Sequence, residues 1–115
     1  PSMIQIFGTR KCPDTRKAER FFRERGVAIQ VIDLREKGVS PGELRSLARA
    51  VPLSELIDTE GKEYERLNLR YIRHNVEEML LAHPLLFRTP IVRSGPRAAA
   101  GYHPEIWQTF AEAEK

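Results

Sequence analysis

The single cysteine of the chain, Cys12, lies where a short apolar segment gives way to a helix that begins at Pro13. A thiol at a helix N-terminus is close to unpaired backbone N–H groups and to the positive end of the helix dipole, and both favour the thiolate. Lys11 and Arg16 add positive charge nearby in the sequence. The sequence therefore predicts a nucleophilic thiolate. The alternative is a cysteine that only fills space as a small buried apolar side chain.

The three histidines of the chain do not predict a metal site. His74, His83 and His103 are not spaced three or four residues apart, and Cys12 is distant from all of them in sequence. Metal-binding motifs bring their ligands together by short spacings or by repeated pairs of ligands. We expect neither a metal nor a tightly bound cofactor.

Composition favours one compact domain. The 115 residues are 41% hydrophobic, and 19 basic and 16 acidic residues are interspersed to give a net charge of +3. We expect a single domain over residues 3–115, with Pro1 and Ser2 a remnant of expression cloning. One cysteine cannot form an intramolecular disulfide, and the sequence has neither a secretory signal nor a long apolar stretch, so we expect a reducing, cytoplasmic setting. The lack of a long apolar stretch also means that we expect no membrane binding. No nucleic-acid-binding module is recognisable, so we expect no direct binding to nucleic acid.

The first third of the chain predicts a strand, a helix and a second strand. The segment Met3–Phe7 is typical of a buried strand, and the helix that starts at Pro13 should end at Gly26. The β-branched residues within Ala28–Asp33 favour a second strand. A strand-helix-strand unit of this length should have parallel strands and a right-handed crossover.

A helical block is predicted from about residue 40 to residue 84. Ser40, Pro41 and Glu43 form a helix-start signature: a capping side chain, a proline at the first position and an acidic residue at the third. That helix should end before Pro52. A further helix is predicted from about Arg70 to the region of His83 and Pro84. Its buried side should carry Ile72, Val76, Met79 and Leu80.

The remaining segment predicts a hairpin and a last helix. The apolar stretches Pro90–Arg93 and Ala98–Tyr102 flank a turn-forming cluster, and His103 precedes a helix with apolar residues on one face. The predicted fold class is α/β, a thioredoxin-like mixed sheet (βαβ … ββα) with a helical insertion at about 40–84. This architecture carries a reactive cysteine just after its first strand, where Cys12 stands.

Several motifs resemble the ArsC/Spx-like family, with an overall pattern most similar to its YffB-like branch. They are Cys12–Ala18, Tyr64–Leu69, His83–Leu86, and Pro90–Val92 leading to Gly101 and Tyr102. The resemblance implies that Cys12 is the catalytic nucleophile, that Arg16 supports its anion, and that Pro90 is a cis proline beside the thiol. It also implies an arsenate reductase-like activity or, as in the Spx regulators, a protein-binding role.

The chain departs from the family at the arginines that bind the oxyanion in arsenate reductases. By motif order those places hold Asp58, Thr89 and His103, and a carboxylate would repel an anion. Thr15 also replaces the second cysteine of the Spx redox switch, so no intramolecular disulfide switch can form. Efficient arsenate reduction is therefore not expected. The residues expected to contact substrate are Lys11, Thr15, Arg88, Thr89, Pro90 and His103, although His103 has a second interpretation as a helix cap.

Two functions follow from these observations. The first is a thiol-dependent oxidoreductase whose mixed disulfide or thiol adduct on Cys12 is resolved by glutathione, acting as co-substrate, or by a glutaredoxin-like protein. The second is a non-enzymatic adaptor that binds a protein partner and uses Cys12 at most as a redox-sensing residue.

Overall fold

Four short strands form one mixed sheet in the computed structural model, which describes residues 3–114. Their order in the sheet is β2-β1-β3-β4, with β1 parallel to β2 and the other two pairs antiparallel. The strands are β1 Ile4–Gly8, β2 Ile29–Asp33, β3 Ile91–Ser94 and β4 Arg97–Ala100. The mixed sheet, its βαβ start and its ββα end are the predicted thioredoxin-like arrangement.

Six α-helices and two short 3₁₀ turns accompany the sheet in the described part of the chain. The helices are α1 Pro13–Glu24, α2 Pro41–Ala50, α3 Leu53–Leu56, α4 Lys62–Arg66, α5 Val76–Ala82 and α6 Pro104–Ala113; the 3₁₀ turns are Leu69–Tyr71 and Pro84–Leu86. Within residues 3–114, no helix combines the length and the apolar character that crossing a bilayer requires.

The sheet separates two apolar clusters. Successive side chains of a strand point to opposite faces, and Ile6 and Phe7 of β1 accordingly belong to different clusters. One cluster packs β1 and β3 against α1 and α6, with Phe22 and Trp107 buried in it. The other packs the opposite face against α2 and the helical insertion. The core therefore fixes the orientation of β1, whose end leads to Cys12.

The βαβ unit was predicted correctly in its order and direction. Strands β1 and β2 pair in parallel from Ile4 with Ile29 to Gly8 with Asp33. Gly26 ends α1 with a φ of 71°, a conformation that glycine adopts at little cost. The parallel pairing brings the carboxyl ends of β1 and β2 to the same edge of the sheet.

The start of α2 and the hairpin also agree with the sequence analysis. The Ser40 hydroxyl accepts a hydrogen bond from the Glu43 backbone N–H (3.1 Å), and the Glu43 carboxylate accepts one from the Ser40 N–H (3.0 Å). Strands β3 and β4 are joined by a two-residue turn in which Gly95 has a φ of 57°. A positive φ is typical of the first central residue of such turns.

The helix predicted from about Arg70 is wrong in its first half. Leu69–Tyr71 is a 3₁₀ turn, and α5 begins only at Val76, because the Asn75 side chain accepts a hydrogen bond from the Glu78 N–H (2.9 Å) and caps a new helix there. Ile72, expected on the buried face, is 49% exposed. The apolar spacing of Val76 and Leu80 was correct, but the asparagine cap was missed.

The insertion is closed by backbone pairing next to the start of β3. Ile57 and Phe87 form an isolated antiparallel bridge. The Asp58 N–H donates to the Leu86 carbonyl (2.8 Å), and the Arg88 N–H donates to the Leu56 carbonyl (2.7 Å). These bonds tie the end of α3 to the residues that precede Thr89.

Candidate functional site

Cys12 is the residue that precedes α1, and its side chain is half-buried. Its backbone N–H donates to the Thr9 carbonyl (3.2 Å), which closes the loop after β1 into a turn. The Thr89–Pro90 peptide bond is cis, as the family resemblance implied. Thr89 Oγ1 donates a hydrogen bond to Cys12 Sγ at 3.2 Å, and Sγ lies 3.8 Å from the Thr89 carbonyl oxygen. The sulfur is thus held between the helix start and the segment before β3.

The pKa of the Cys12 thiol lies below its ordinary value as the balance of opposing effects. Partial burial is the largest single effect and raises the pKa. It is outweighed by the polar groups around the sulfur: the hydroxyls of Thr89 and Thr15 and the backbone N–H groups of Thr15 and Asp14 all lower the pKa. The thiolate is therefore favoured, as the position at a helix N-terminus predicted.

Thr15, in the first turn of α1, is buried and lies close enough to Cys12 to lower the pKa of the thiol. Its side chain is packed against Gly8, where an added Cβ would lie 2.5 Å from Thr15 Cγ2. Its hydroxyl makes no hydrogen bond of standard geometry within the described chain, so we attribute its effect on the Cys12 pKa to the close approach of an otherwise unpartnered dipole. The glycine at the end of β1 is what gives this threonine its place near the sulfur.

Arg16 and Lys11, the two cations expected to support the thiolate, do not lower the pKa of Cys12. The Arg16 guanidinium donates to the Arg10 carbonyl through Nη1 and forms part of the loop around Cys12. Neither Arg16 nor Lys11 is among the described groups that shift the Cys12 pKa; neutral donors do so instead. A catalytic role for Arg16 stays a prediction.

Cys12 opens into a cavity of about 380 Å³ between the sheet edge and the insertion. Among the residues predicted to form the site, Lys11, Cys12 and Thr89 line it. The other lining residues are Thr9, Arg35, Asp58, Gly61, Lys62, Glu63, Leu85 and Phe87. A cavity of similar size, about 390 Å³, lies within the insertion around Tyr64 and Tyr71 and contains no cysteine.

Arg35 and Lys62 were missed by the sequence analysis. Arg35 follows β2 by two residues, and its approach to the cavity follows from the parallel pairing that places Asp33 beside Gly8. The sequence carried this signal, because the carboxyl ends of parallel strands meet at one edge. Lys62 begins α4, and nothing in the sequence indicated which helix of the insertion would face Cys12.

Arg88, Pro90 and His103 do not line the cavity that holds Cys12. The Arg88 guanidinium faces the insertion, where Nε donates to the Glu55 carbonyl (3.0 Å) and Nη1 lies 4.0 Å from Asp58 Oδ1. His103 precedes α6, with Nδ1 3.5 Å from a Glu105 carboxylate oxygen. Pro90, the residue after Thr89, is buried. Their contact with substrate stays a prediction.

The profile of the ArsC family matches residues 7–110 of this chain. The global transcriptional regulator Spx 2 of Oceanobacillus iheyensis is 28% identical over 112 residues, which cover 93% of this chain and 82% of the regulator. An arsenate reductase structure from Vibrio cholerae has 25% identity and a TM-score of 0.81, covering 96% of this chain and 99% of that one. The structure of a YFFB protein has 19% identity and a TM-score of 0.84, covering 95% and 99%. The resemblance drawn from the sequence motifs is confirmed, and the chain belongs to the ArsC family.

Proposed function

We propose that this protein is a thiol-dependent oxidoreductase that uses Cys12 as its only nucleophile. The observation that carries the proposal is the 3.2 Å hydrogen bond from Thr89 Oγ1 to Cys12 Sγ, in a half-buried position open to a cavity. A hydroxyl that donates to sulfur stabilises the thiolate more than the thiol, and the lowered pKa of Cys12 agrees with this. Membership of the ArsC family and likeness to an arsenate reductase structure support reductase chemistry.

The proposed reaction is a thiol-disulfide exchange. The Cys12 thiolate attacks one sulfur of a disulfide substrate, so that a new S–S bond forms as the old one breaks. The leaving thiolate departs and takes a proton from solvent. Cys12 is oxidised to a mixed disulfide, and half of the substrate is released as a thiol.

Reduction of that mixed disulfide requires a second molecule. Cys12 is the only cysteine in the sequence, so no resolving thiol can come from the chain itself. We propose that the thiolate of glutathione, or of a glutaredoxin-like protein, attacks the substrate sulfur that is bonded to Cys12. A new disulfide forms between that sulfur and the attacking thiol, and the Cys12 thiolate leaves. The electrons for each turnover therefore come from the external thiol.

Arsenate is not the substrate that we propose. Of the three places where the resemblance implies oxyanion-binding arginines, Asp58 carries a negative charge and Thr89 is neutral and bonded to Cys12. A compact oxyanion is bound best by forked cationic donors that converge on it. The cavity is lined by two lysines and by Arg35 alone among arginines, which is not such a set.

The experiment that tests this function is mass spectrometry of the intact protein after exposure to oxidised glutathione, with arsenate and arsenite in parallel. We expect one glutathione adduct, located on Cys12, that added reduced glutathione removes. Cys12→Ser should form no adduct. Absence of the adduct, an adduct that reduced glutathione does not remove, or an apparent thiol pKa at or above that of a free cysteine, about 8.5, would contradict the proposal.

A second candidate function is that of a protein-binding adaptor. It is favoured by the likeness to the Spx 2 regulator over 93% of this chain, and by Tyr71 and Ile72, which are 80% and 49% exposed beside each other in the insertion. Cys12→Ser distinguishes the two functions: an adaptor keeps its partner in a pull-down, whereas an oxidoreductase loses all turnover.

A further inference from the structure

We infer that the cavity beside Cys12 selects disulfides whose flanking groups carry carboxylates, and that Arg35 and Lys62 make this selection. The inference rests on the proposed function, because it names the substrate class of the same thiol. Neither residue was indicated by the sequence motifs, and both line the cavity into which Cys12 opens.

The cations of the cavity lack acidic partners. Lys11, Arg35 and Lys62 are exposed and line the cavity, and across residues 3–114 none of the three takes part in an ion pair. Unpaired charges of one sign at a concave site attract ligands of the opposite sign and raise their local concentration. The positive charge is therefore available to a ligand.

The two carboxylates of the same cavity are each matched by an arginine that lies outside it. Arg66 donates to both Glu63 carboxylate oxygens, at 2.8 and 2.9 Å. Asp58 Oδ1 accepts from the Glu60 N–H (3.1 Å) and lies 4.0 Å from Arg88 Nη1. The two arginines reduce the repulsion that Asp58 and Glu63 would impose on an anion, so the three unpaired cations outweigh the two carboxylates of the cavity.

The placement of the cations fits a ligand with separated charges. Lys11 comes from the loop before α1, Arg35 from the end of β2 and Lys62 from the start of α4, so they approach the cavity from three different elements. A single compact oxyanion needs donors that converge on one point. A disulfide with a carboxylate on either side of the S–S bond needs dispersed cations, which is what this cavity offers.

The test compares three disulfides of different charge in their reaction with Cys12. Oxidised glutathione is negatively charged, hydroxyethyl disulfide is neutral and cystamine is positively charged. The rate constant for mixed-disulfide formation is measured with each and divided by the rate constant of a small uncharged thiol with the same disulfide. We expect the ratio to fall in the order given, and the preference for oxidised glutathione to weaken as salt is added.

Single variants then assign the preference to residues. Arg35→Gln and Lys62→Gln should each lower the rate constant for oxidised glutathione about two- to five-fold, as expected for one partly screened charge pair, and leave that for hydroxyethyl disulfide unchanged. Arg49→Gln, which removes an exposed arginine of α2 outside the cavity, is the matched control and should change neither rate constant.

The outcomes separate this inference from the proposed function. If Cys12 reacts with all three disulfides without regard to charge, or if the two variants behave like Arg49→Gln, charge selection is overturned and the thiol function stands. An equal loss with the neutral disulfide also overturns it, since the residues would then act on the thiol or the fold. If Cys12 reacts with no disulfide, the proposed function itself fails.

Discussion

Thr89 and Cys12 are 77 positions apart in sequence, yet the Thr89 hydroxyl donates a hydrogen bond of 3.2 Å to the Cys12 sulfur. The same threonine offers its carbonyl oxygen 3.8 Å from that sulfur. One residue can thus serve the thiolate as a donor and the thiol as an acceptor. The acidity of the thiol therefore depends on the segment before β3 as well as on the helix that follows Cys12.

Replacing Thr89 by valine should raise the pKa of Cys12, because the isosteric side chain fills the same space but cannot donate to the thiolate. At neutral pH the alkylation rate should fall about three- to ten-fold, in keeping with the loss of one hydrogen bond to a charged group. The measurement is the iodoacetamide rate as a function of pH. Thr59→Val is the control, because Thr59 lines the other cavity, within the insertion, and is not bonded to Cys12. Equal effects of the two variants would argue against the Thr89 contact.

The lowered pKa of Cys12 also predicts how stability changes with pH. The folded state holds the thiol proton of Cys12 less tightly than the unfolded state does. The contribution of Cys12 to the free energy of unfolding is therefore fully present above the pKa of the unfolded state, and it is lost as the pH falls through the pKa of the folded state. The free energy of unfolding of the native protein, minus that of Cys12→Ser, should therefore rise with pH across this interval. Urea denaturation at a series of pH values checks it, and a difference that is flat or falls with pH would contradict the sign.

Gly8→Ala should destabilise the protein by about 1–3 kcal/mol, because the new methyl group would overlap the buried Thr15 side chain. Since Thr15 lowers the pKa of Cys12 and would be displaced, the alkylation rate of Cys12 should fall as well. Gly42→Ala is the matched control: its added methyl group meets only atoms at 3.8 Å or more, and alanine is the better helix former. Equal denaturation midpoints for the two variants would show that the approach at Gly8 is tolerated.

Ser40→Ala should cost about 1 kcal/mol of stability, because it removes half of the reciprocal cap at the start of α2. The position is exposed and outside the Cys12 cavity, so the alkylation rate should not change. Thermal denaturation measures the first effect. A change in thiol reactivity would mean that α2 influences the site in a way that its contacts do not indicate.

The sequence sufficed for the parts of the fold that depend on local patterns. Cys12 before Pro13, the cap at Ser40 and the turn at Gly95 are each determined by residues adjacent in the chain. Asn75 was a local signal too, but the apolar spacing across Ile72 and Val76 concealed it. The site was harder to predict, because Thr89, Arg35 and Lys62 are brought to the Cys12 cavity only by tertiary packing. The motif that begins at Pro90 indicated the neighbouring Thr89. The orientation of the Arg88 side chain toward the Glu55 carbonyl, in contrast, depends on how the insertion packs against the sheet.

The backbone bridge between Ile57 and Phe87 has a consequence for the thiol. It joins the insertion to the residues directly before Thr89. A movement of the insertion would therefore also move Thr89, whose hydroxyl donates to Cys12. A partner that pulled the insertion away from the sheet would strain the Arg88 to Leu56 hydrogen bond, which lies one residue before Thr89. The acidity of a single sulfur atom would then depend on whether a partner is bound to the insertion.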